Sequence, residues 1–279
     1  MNKDLLKMED LSKDEILDIL NLGDQLKYEL KHGIKHHHLE GKTLGMIFEK
    51  SSTRTRVSFE AGMYQLGGYP LFLSSSDLQI GRGEPIQDTS RVLSRYLNGI
   101  MIRTFAQDEV NSLAESSSIP IINGLTDDEH PCQVLADLMT IREKKNTFDG
   151  LKVTYIGDGN NMAQSLIVGC LTVGMNISLA IPQNYMVKDY YIKKGQELSK
   201  NNNLNFIIVN NPEDAIKDAD VVITDVWASM GKENEVNERL ADFSPYQVNS
   251  KIMSLAKDDA IVLHLSLIHI SEPTRRRGI

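Results

Sequence analysis

Cysteine is scarce in this 279-residue chain, which contains only Cys132 and Cys170. Two cysteines cannot build a disulfide scaffold, so the sequence predicts a protein of the reducing cytoplasm. Long apolar runs are also missing: no stretch approaches the ~20 residues that a membrane-spanning helix needs, and no signal peptide is expected. The formal net charge of −8 lacks the positive excess that binds nucleic acid, so any anionic ligand must be held by a local basic cluster.

Hydroxyl and guanidinium side chains are concentrated in segment 51–60. This segment follows the apolar run 43–48, which predicts a buried strand, and leads into 57–66, whose pattern predicts a helix. A helix start offers unpaired N–H donors and partial positive charge, and arginine adds a fork that fits phosphate oxygens. The sequence therefore predicts a phosphate-binding turn with Arg54 and Arg56 as its basic cluster. The alternative is an ordinary helix cap with solvated arginines.

Short apolar runs alternate with amphipathic segments through both halves of the chain. Strands are predicted at 43–48, 69–73, 99–104, 119–123, 151–157, 177–181, 205–209 and 220–225. This alternation indicates an α/β fold in which each sheet is mostly parallel and flanked by helices. The polar segment 144–150 predicts a domain boundary, which gives two domains at 1–145 and 146–264.

Three polar residues of the first half follow predicted strands or begin helices. Arg103 ends one strand, while His130 and Gln133 lie one turn apart at a helix start. Ligands of open α/β sheets bind outside the carboxyl ends of the strands, so these residues are candidates for a site. Cys132 lies between them but has no evident base, and is predicted to pack rather than react. The histidine triplet 36–38 is predicted to be a solvated loop rather than a metal site.

In the second half of the chain, the candidate binding features are a glycine-containing turn and an aspartate at a strand end. Segment 157–161 is similar to a dinucleotide-binding turn, but Met162 occupies the third glycine position and no acidic residue ends the next strand. Asp225 follows a predicted strand and is suited to an ammonium group, while Ser229 and its backbone are suited to a carboxylate. This pairing favours an amino-acid ligand. The alternative is a turn with a capping aspartate and a packed tryptophan.

Taken together, these segments resemble the aspartate/ornithine carbamoyltransferase family over about residues 5–264. The motifs are Ser-Thr-Arg-Thr at 52–55, the loop 77–82, His-Pro-Cys-Gln at 130–133, Gly-Asp-Gly-Asn-Asn at 157–161 and Asp-Val-Trp-Ala-Ser-Met-Gly at 225–231. The last motif separates members that act on ornithine from those that act on aspartate, and putrescine enzymes match it less well. The resemblance implies carbamoyl transfer from carbamoyl phosphate to the side-chain amine of L-ornithine, giving L-citrulline and phosphate in arginine metabolism. It implies no metal and no organic cofactor.

The resemblance also implies a role for individual residues. Carbamoyl phosphate is expected to contact Ser52, Thr53, Arg54, Thr55, Gln79, Arg103, His130 and Gln133, and ornithine to contact Asn161, Asp225, Ser229 and Met230. Arg54, Arg103 and His130, the last either protonated or as a neutral donor, are expected to stabilise charge on the carbamoyl oxygen. Gln79 lies on a loop that the family lends to a neighbouring subunit, which implies a homotrimer or a higher multiple. The alternatives are a carbamoyltransferase for another amine or amino acid, and an inactive fragment that only binds.

The sequence departs from the family after His264. Where the family continues with Cys-Leu-Pro and then Arg-Gly, this chain continues with Leu-Ser-Leu-Ile-His-Ile-Ser-Glu-Pro-Thr-Arg. That string resembles a translated sequencing-library adapter, so residues 265–279 are expected to be non-native; a divergent native tail is the alternative. The missing family residues contact substrate, and the missing terminal helices pack on the first domain. Impaired folding and activity are therefore expected.

Overall fold

A computed structural model describes residues 4–227 and 235–264 of the protein. The strands are β1 (Thr43–Phe48), β2 (Tyr69–Ser74), β3 (Gly99–Arg103), β4 (Ile121–Leu125), β5 (Lys152–Ile156), β6 (Asn176–Ala180), β7 (Phe206–Val209), β8 (Val221–Thr224) and β9 (Ile261–His264). The α-helices are α1 (Lys13–Lys31), α2 (Thr53–Gln65), α3 (Ile86–Leu93), α4 (Gln107–Ser116), α5 (Pro131–Lys145), α6 (Asn161–Val173), α7 (Asp189–Asn202), α8 (Pro212–Ile216), α9 (Val236–Phe243) and α10 (Ser250–Met253). Within the described ranges, no helix combines the length and apolar character that a membrane span requires.

The chain divides into two compact units, Met1–Leu135 and Ala136–Ile279. The first unit holds a four-stranded sheet in the order β2-β1-β3-β4, and the second a five-stranded sheet in the order β7-β6-β5-β8-β9. All the pairings between these strands are parallel. The predicted α/β class, with two parallel sheets flanked by helices, is confirmed.

The central strands form the core of each unit. Met46 and Ile47 of β1 and Ile100 of β3 are fully buried, as are Val153 and Ile156 of β5. Strands covered by helices on both faces lose their polar alternation, which is why they read as continuous apolar runs. The prediction of these strands rested on that pattern.

The observed secondary structure differs from the prediction most clearly in three places: the start of α2, the position of β4 and the presence of β9. Helix α2 begins at Thr53, not at 57, because the Ser52 side chain accepts a hydrogen bond from the backbone N–H of Thr55 at 3.2 Å and caps the helix there. Strand β4 is displaced two residues along the chain, to Ile121–Leu125. Strand β9 was not predicted, since its apolar run has only four residues and borders the departure from the family.

The histidine triplet lies outside helices and strands, as predicted, but it is not uniformly solvated. The side chain of His36 is only 10% exposed, whereas His37 and His38 are exposed. The expectation of a solvated loop is therefore wrong for His36, because its ring packs beside Glu29 of α1.

The strand orders create one switch point in each sheet. In the first sheet, β2 lies on one side of β1 and β3 lies on the other side. The carboxyl ends of β1 and β3 are therefore neighbours, with Phe48 opposite Arg103. In the second sheet β5 and β8 are neighbours in the same sense, with Ile156 opposite Thr224. Ligands of open α/β sheets bind in the crevice at such points.

Candidate functional site

The candidate site of the first unit is built on the start of α2, directly after the carboxyl end of β1. Ser52 is extended at φ −160°, and its hydroxyl contacts both the backbone N–H of Thr55 at 3.2 Å and the Thr55 hydroxyl at 3.0 Å. Thr53 and Arg54 lie in the exposed first turn. The N–H groups of a first turn have no partner within the helix, and they carry the positive end of its dipole. The segment predicted to bind an anion is therefore the cap and first turn of α2.

Arg103 brings a second guanidinium to this turn from the end of β3. Its Nη1 donates to the Thr55 hydroxyl at 3.4 Å. The residue is 8% exposed, and its buried Nε has no hydrogen-bond partner among the residues that the structure describes. Burial lowers the pKa of Arg103 to about 10, and the charge of Arg54 acts in the same direction. A buried guanidinium is costly unless an anion compensates it, so this position is suited to a phosphate group.

Arg56 does not belong to this cluster, and the prediction that paired it with Arg54 is wrong. Its Nε donates to Glu60 at 2.9 Å, and its guanidinium stacks 3.7 Å from the ring centroid of Phe72. Residues two apart on a helix point in nearly opposite directions, so Arg54 and Arg56 cannot share a ligand from the same turn.

His130 and Gln133 lie at the start of α5, where the backbone N–H of Gln133 donates to the His130 carbonyl at 3.2 Å. Burial of the ring lowers the pKa of His130 to about 3, and the charge of Arg103 acts in the same direction. The ring is therefore neutral at pH 7. Of the two forms expected from the sequence, the structure supports the neutral hydrogen-bond donor.

A buried lysine, missed by the sequence reasoning, links these loops. Lys50 is 8% exposed, forms an ion pair with Asp127, and lies 4.3 Å from the ring centroid of Phe105. It joins the connection after β1 to the loop that leads to His130. The sequence carried no signal for this pairing because the partners are 77 residues apart.

Two carboxyl groups contact the same hydroxyl next to the carboxyl ends of β1 and β3. The Thr104 hydroxyl contacts both Glu49 and Glu109. A hydroxyl donates only one proton, so one of the two carboxyl groups must supply the second hydrogen bond. Burial raises the pKa of Glu49, which favours its protonated form.

Cys132 is unsuited to act as a nucleophile. Burial raises the pKa of its thiol to about 12, and its Sγ donates to the carbonyl of Asn123 at 3.4 Å. The thiolate is the reactive form, so a thiol with this pKa is inert near neutral pH. The raised pKa and the hydrogen bond to Asn123 support the prediction that Cys132 packs rather than reacts.

The candidate site of the second unit connects the loops that follow β5 and β8. The Asn160 side chain caps α6 by accepting from the backbone N–H of Met162 at 3.0 Å, and donates to Asp225 at 3.4 Å. The other carboxylate oxygen of Asp225 accepts from the backbone N–H of Val226 at 2.7 Å. Asn161, the predicted ligand, is the partly buried first residue of α6. The predicted carboxylate thus lies at the switch point, beside the glycine turn.

Arg239 of α9, which the sequence analysis did not single out, joins these two loops. It is 2% exposed, and its Nη1 donates to Asp158 at 2.7 Å and to the carbonyl of Trp227 at 2.9 Å. Its Nε donates to Glu235 at 2.8 Å. The only sequence signal was the i,i+4 spacing of Glu235 and Arg239, which also occurs on any solvated helix.

The glycine turn after β5 has a structural explanation that does not involve a dinucleotide. A Cβ on Gly159 would lie 2.3 Å from the carbonyl oxygen of Tyr185 and 2.4 Å from the backbone nitrogen of Val187. The Gly159 N–H also donates to that carbonyl at 2.9 Å. Gly159 is therefore required by the close approach of a neighbouring loop.

The remaining predicted site residues are more peripheral or lie outside the described ranges. Gln79 is exposed in a 3-10 turn at Gln79–Arg82. Ser229 and Met230 lie outside the described residues, as does the segment 265–279.

A cavity of about 670 Å³ in the first unit lies away from these residues. Its lining is largely apolar and includes Thr43, Phe59, Met63 and Gly99. Thr43 and Gly99 begin β1 and β3, whereas the candidate site follows the carboxyl ends of the same strands. The cavity is therefore separate from the candidate site.

Comparison with known proteins gives two family matches. Residues 3–143 match the aspartate/ornithine carbamoyltransferase, carbamoyl-P binding domain, and residues 149–267 match the Asp/Orn binding domain of the same family. The ornithine carbamoyltransferase of Anoxybacillus flavithermus is 53% identical over 270 residues, which cover 97% of this chain and 86% of that protein. The Bacillus subtilis ornithine carbamoyltransferase is 52% identical, with coverage of 97% and 83%.

A solved structure agrees with these matches. The ornithine carbamoyltransferase of Pyrococcus furiosus superposes with a TM-score of 0.92 at 47% identity, covering 96% of this chain and 86% of that one. The family models fall on the two units whose strand ends carry the anion-binding turn and the Asp225 loop. The chain therefore belongs to the aspartate/ornithine carbamoyltransferase family.

Proposed function

We infer that this chain transfers the carbamoyl group of carbamoyl phosphate to the side-chain amine of L-ornithine, giving L-citrulline and phosphate. The observation that carries the reaction class is the buried, uncompensated guanidinium of Arg103 beside the capped first turn of α2. The relatives named above supply the acceptor, since both are ornithine carbamoyltransferases at about half identity. No observation favours another acceptor.

Carbamoyl phosphate is assigned to the first unit. The exposed first turn of α2, with Ser52, Thr53, Arg54 and Thr55, is suited to the phosphate because its N–H groups, hydroxyls and guanidinium all donate to oxygen. Arg103 and His130 are assigned to the carbamoyl oxygen, and Gln133 to the carbamoyl amino group. Ornithine is assigned to Asn161, Asp225, Ser229 and Met230, with Asp225 near the side-chain amine.

The proposed mechanism follows from these charges. The neutral ornithine amine attacks the carbamoyl carbon, forming a C–N bond and moving an electron pair onto the oxygen. The tetrahedral intermediate collapses, the C–O bond to phosphate breaks with its electron pair leaving on the phosphate, and the departing phosphate takes up the proton that the amine loses. Arg103 supplies positive charge to the developing oxyanion, while neutral His130 donates a hydrogen bond without transferring its proton. The protein contributes mainly positioning and electrostatic stabilisation.

Arg103→Met and Arg56→Met form a matched pair that tests this assignment. Loss of a transition-state donor is expected to lower kcat for citrulline by about 10²- to 10³-fold in Arg103→Met. Arg56→Met removes an exposed ion pair with Glu60 and a stacking contact with Phe72, neither of which involves Arg103, and should stay within about three-fold of the parent. Melting temperatures separate activity from folding, because Arg103→Met removes an uncompensated buried charge and should not lower stability. Equal activity losses in the two variants would contradict the assignment of Arg103.

The acceptor is tested separately with ornithine, aspartate and putrescine as substrates. Ornithine should give the highest kcat/KM, because Asp225 is suited to its side-chain ammonium group in the bound ground state. A higher value for aspartate or putrescine would refute the assignment of the second unit.

We also propose that the chain works as a homotrimer in the cytoplasm, with Gln79 completing a neighbour's site. The support is that Gln79 is exposed, that Tyr64, Tyr69 and Tyr96 of the same unit are large exposed side chains, and that both cysteines are free thiols. Mixed oligomers of Gln79→Ala and Arg103→Met subunits test the shared site. About a quarter of the sites in a random mixture would hold both native residues, so activity should rise above that of either variant. A mixture no more active than its parts, in confirmed hybrid oligomers, would exclude a shared site.

The departure from the family after His264 leads to a further proposal. The 279-residue chain should form citrulline more slowly than a version that continues with the family's Cys-Leu-Pro and Arg-Gly residues and terminal helices. Steady-state rates and melting temperatures of the two versions test this. Equal rates would show that residues 265–279 do not impair the enzyme.

A further inference from the structure

We propose that Glu29, His36 and His38 form a binding site for a divalent transition-metal ion, separate from the carbamoyl-transfer site. Glu29 lies in the last two turns of α1, and the two histidines lie in the connection to β1. One ligand atom from each residue lies within 4.8 Å of the other two. The proposal does not depend on the assigned reaction.

The geometry of the three side chains converges on one carboxylate oxygen. Glu29 Oε2 lies 3.8 Å from His36 Nε2 and 3.5 Å from His38 Nε2, and the two imidazole rings stack with centroids 4.9 Å apart. Donor atoms around a tetrahedral zinc ion lie about 3.3 Å apart, given bonds of about 2.0–2.1 Å. Small side-chain movements would therefore bring all three atoms into coordination range.

The carboxylate is already oriented and its inner oxygen is unsatisfied. Gln25, one turn earlier, donates to Glu29 Oε1 at 2.9 Å, which leaves Oε2 facing the histidines. Oε2 is buried and has no hydrogen-bond partner among residues 4–227 and 235–264. Its contacts with the imidazole nitrogens, at 3.5 and 3.8 Å, are long for a hydrogen bond, and a buried oxygen without a well-formed hydrogen bond is costly. A metal ion would satisfy Oε2 and both imidazoles together.

The local backbone holds the two histidines on the same side. The imidazole rings of His36 and His38 stack with centroids 4.9 Å apart, which places both on one side of the segment. His37 packs at Gly67, where an added Cβ would lie 3.0 Å from its Nδ1. The segment is anchored at both ends, by Ile34 N–H to the Glu29 carbonyl at 2.9 Å and by Leu39 N–H to the Leu66 carbonyl at 2.8 Å.

The donor set determines the class of ion. Two imidazoles and one carboxylate suit zinc and neighbouring first-row metals, whereas magnesium and calcium prefer oxygen ligands throughout. The residues precede the amino end of β1, and Ser52 follows its carboxyl end, so the two sites are separated by roughly the 20 Å length of a six-residue strand. A bound ion would tie the end of α1 to the connection and act on stability rather than on carbamoyl transfer.

The test uses the full-length chain, freed of any affinity tag, with zinc chloride in calorimetry and equilibrium dialysis. One zinc ion should bind, and Glu29→Gln, His36→Gln and His38→Gln should each weaken binding at least ten-fold. His37→Gln is the matched control and should bind zinc as the parent does. Cobalt absorption should show a coordinated d–d band that the same three variants lose. Zinc should also raise the melting temperature of the parent and of His37→Gln only.

Two results would overturn the proposal. Zinc affinity that survives in Glu29→Gln, His36→Gln and His38→Gln would place the ion elsewhere. An equal loss in His37→Gln would mean that the histidine-rich segment binds metal without a defined site.

Discussion

Removal of the Arg239 guanidinium is the most informative perturbation of the second unit. Arg239 and Asp158 are 2% and 6% exposed, and their charged atoms are 2.7 Å apart. Arg239→Met keeps much of the side-chain volume but removes the guanidinium that faces the buried Asp158 carboxylate. Breaking a buried ion pair from one side costs about 3–5 kcal/mol. This is a large part of the roughly 5–15 kcal/mol that separates folded from unfolded domains.

The assay is urea unfolding followed by tryptophan fluorescence. Trp227 is the only tryptophan of the chain; its carbonyl accepts from Arg239, and its ring stacks on Phe243 at 6.2 Å. The matched control is Lys251→Met, which breaks an exposed pair with Glu213 at 2.9 Å and should cost at most about 1 kcal/mol.

A double variant separates the lost pair from the remaining negative charge. Asp158→Asn combined with Arg239→Met also removes the buried negative charge that faced Arg239 and should recover a large part of the loss. A loss in Arg239→Met no greater than in Lys251→Met would refute the reasoning. A double variant no more stable than Arg239→Met would show that packing, not charge, is the main contribution.

Three other substitutions test single features. Gly159→Ala should lower the free energy of unfolding by about 3 kcal/mol or more, because its Cβ would meet the Tyr185 backbone; thermal and urea unfolding measure this. The raised pKa of Glu49 stabilises the protein only at low pH, and this contribution is lost as pH rises through the raised value. Glu49→Gln should therefore gain stability over the parent as the pH rises above 4.5, the ordinary pKa of glutamate, in melting scans, and a difference that does not change with pH would contradict this. Cys132→Ala should keep kcat within about two-fold, since its thiol is inert; a loss of activity would show a chemical role.

The fold could be predicted from the sequence because burial leaves a local pattern. Strand β1 was predicted at its observed bounds, since both faces of a central parallel strand are apolar. Strand β9 was not predicted, because its apolar run of four residues is too short to indicate a buried strand. The start of α2 was misplaced because Ser52, Thr53 and Arg54 read as a loop, although Ser52 is the cap and the other two form the first turn.

The basic cluster shows why site residues are harder to predict than strands. Arg54 and Arg56 are close in sequence, yet a helix rotates about 200° over two residues and separates them. Arg103 is far away in sequence, but the pairing of Phe48 with Arg103 places it next to the turn that follows β1. The same holds for Arg239 and Asp158, which are 81 residues apart. Which charges meet is decided by register and helix packing, and neither leaves a local pattern.

Both units use the same topological feature to bring motif residues together. In each sheet the central pair, β1 with β3 and β5 with β8, lies where the strand order reverses. The turn after the first strand of each pair begins a helix, α2 or α6, whose cap is a side chain, Ser52 or Asn160. The second strand of each pair ends next to a charged residue, Arg103 or Asp225, that contacts this turn. The charge at the end of the second strand has opposite sign in the two units, positive at Arg103 and negative at Asp225, so the two helix-start turns differ in the sign of the charge that contacts them.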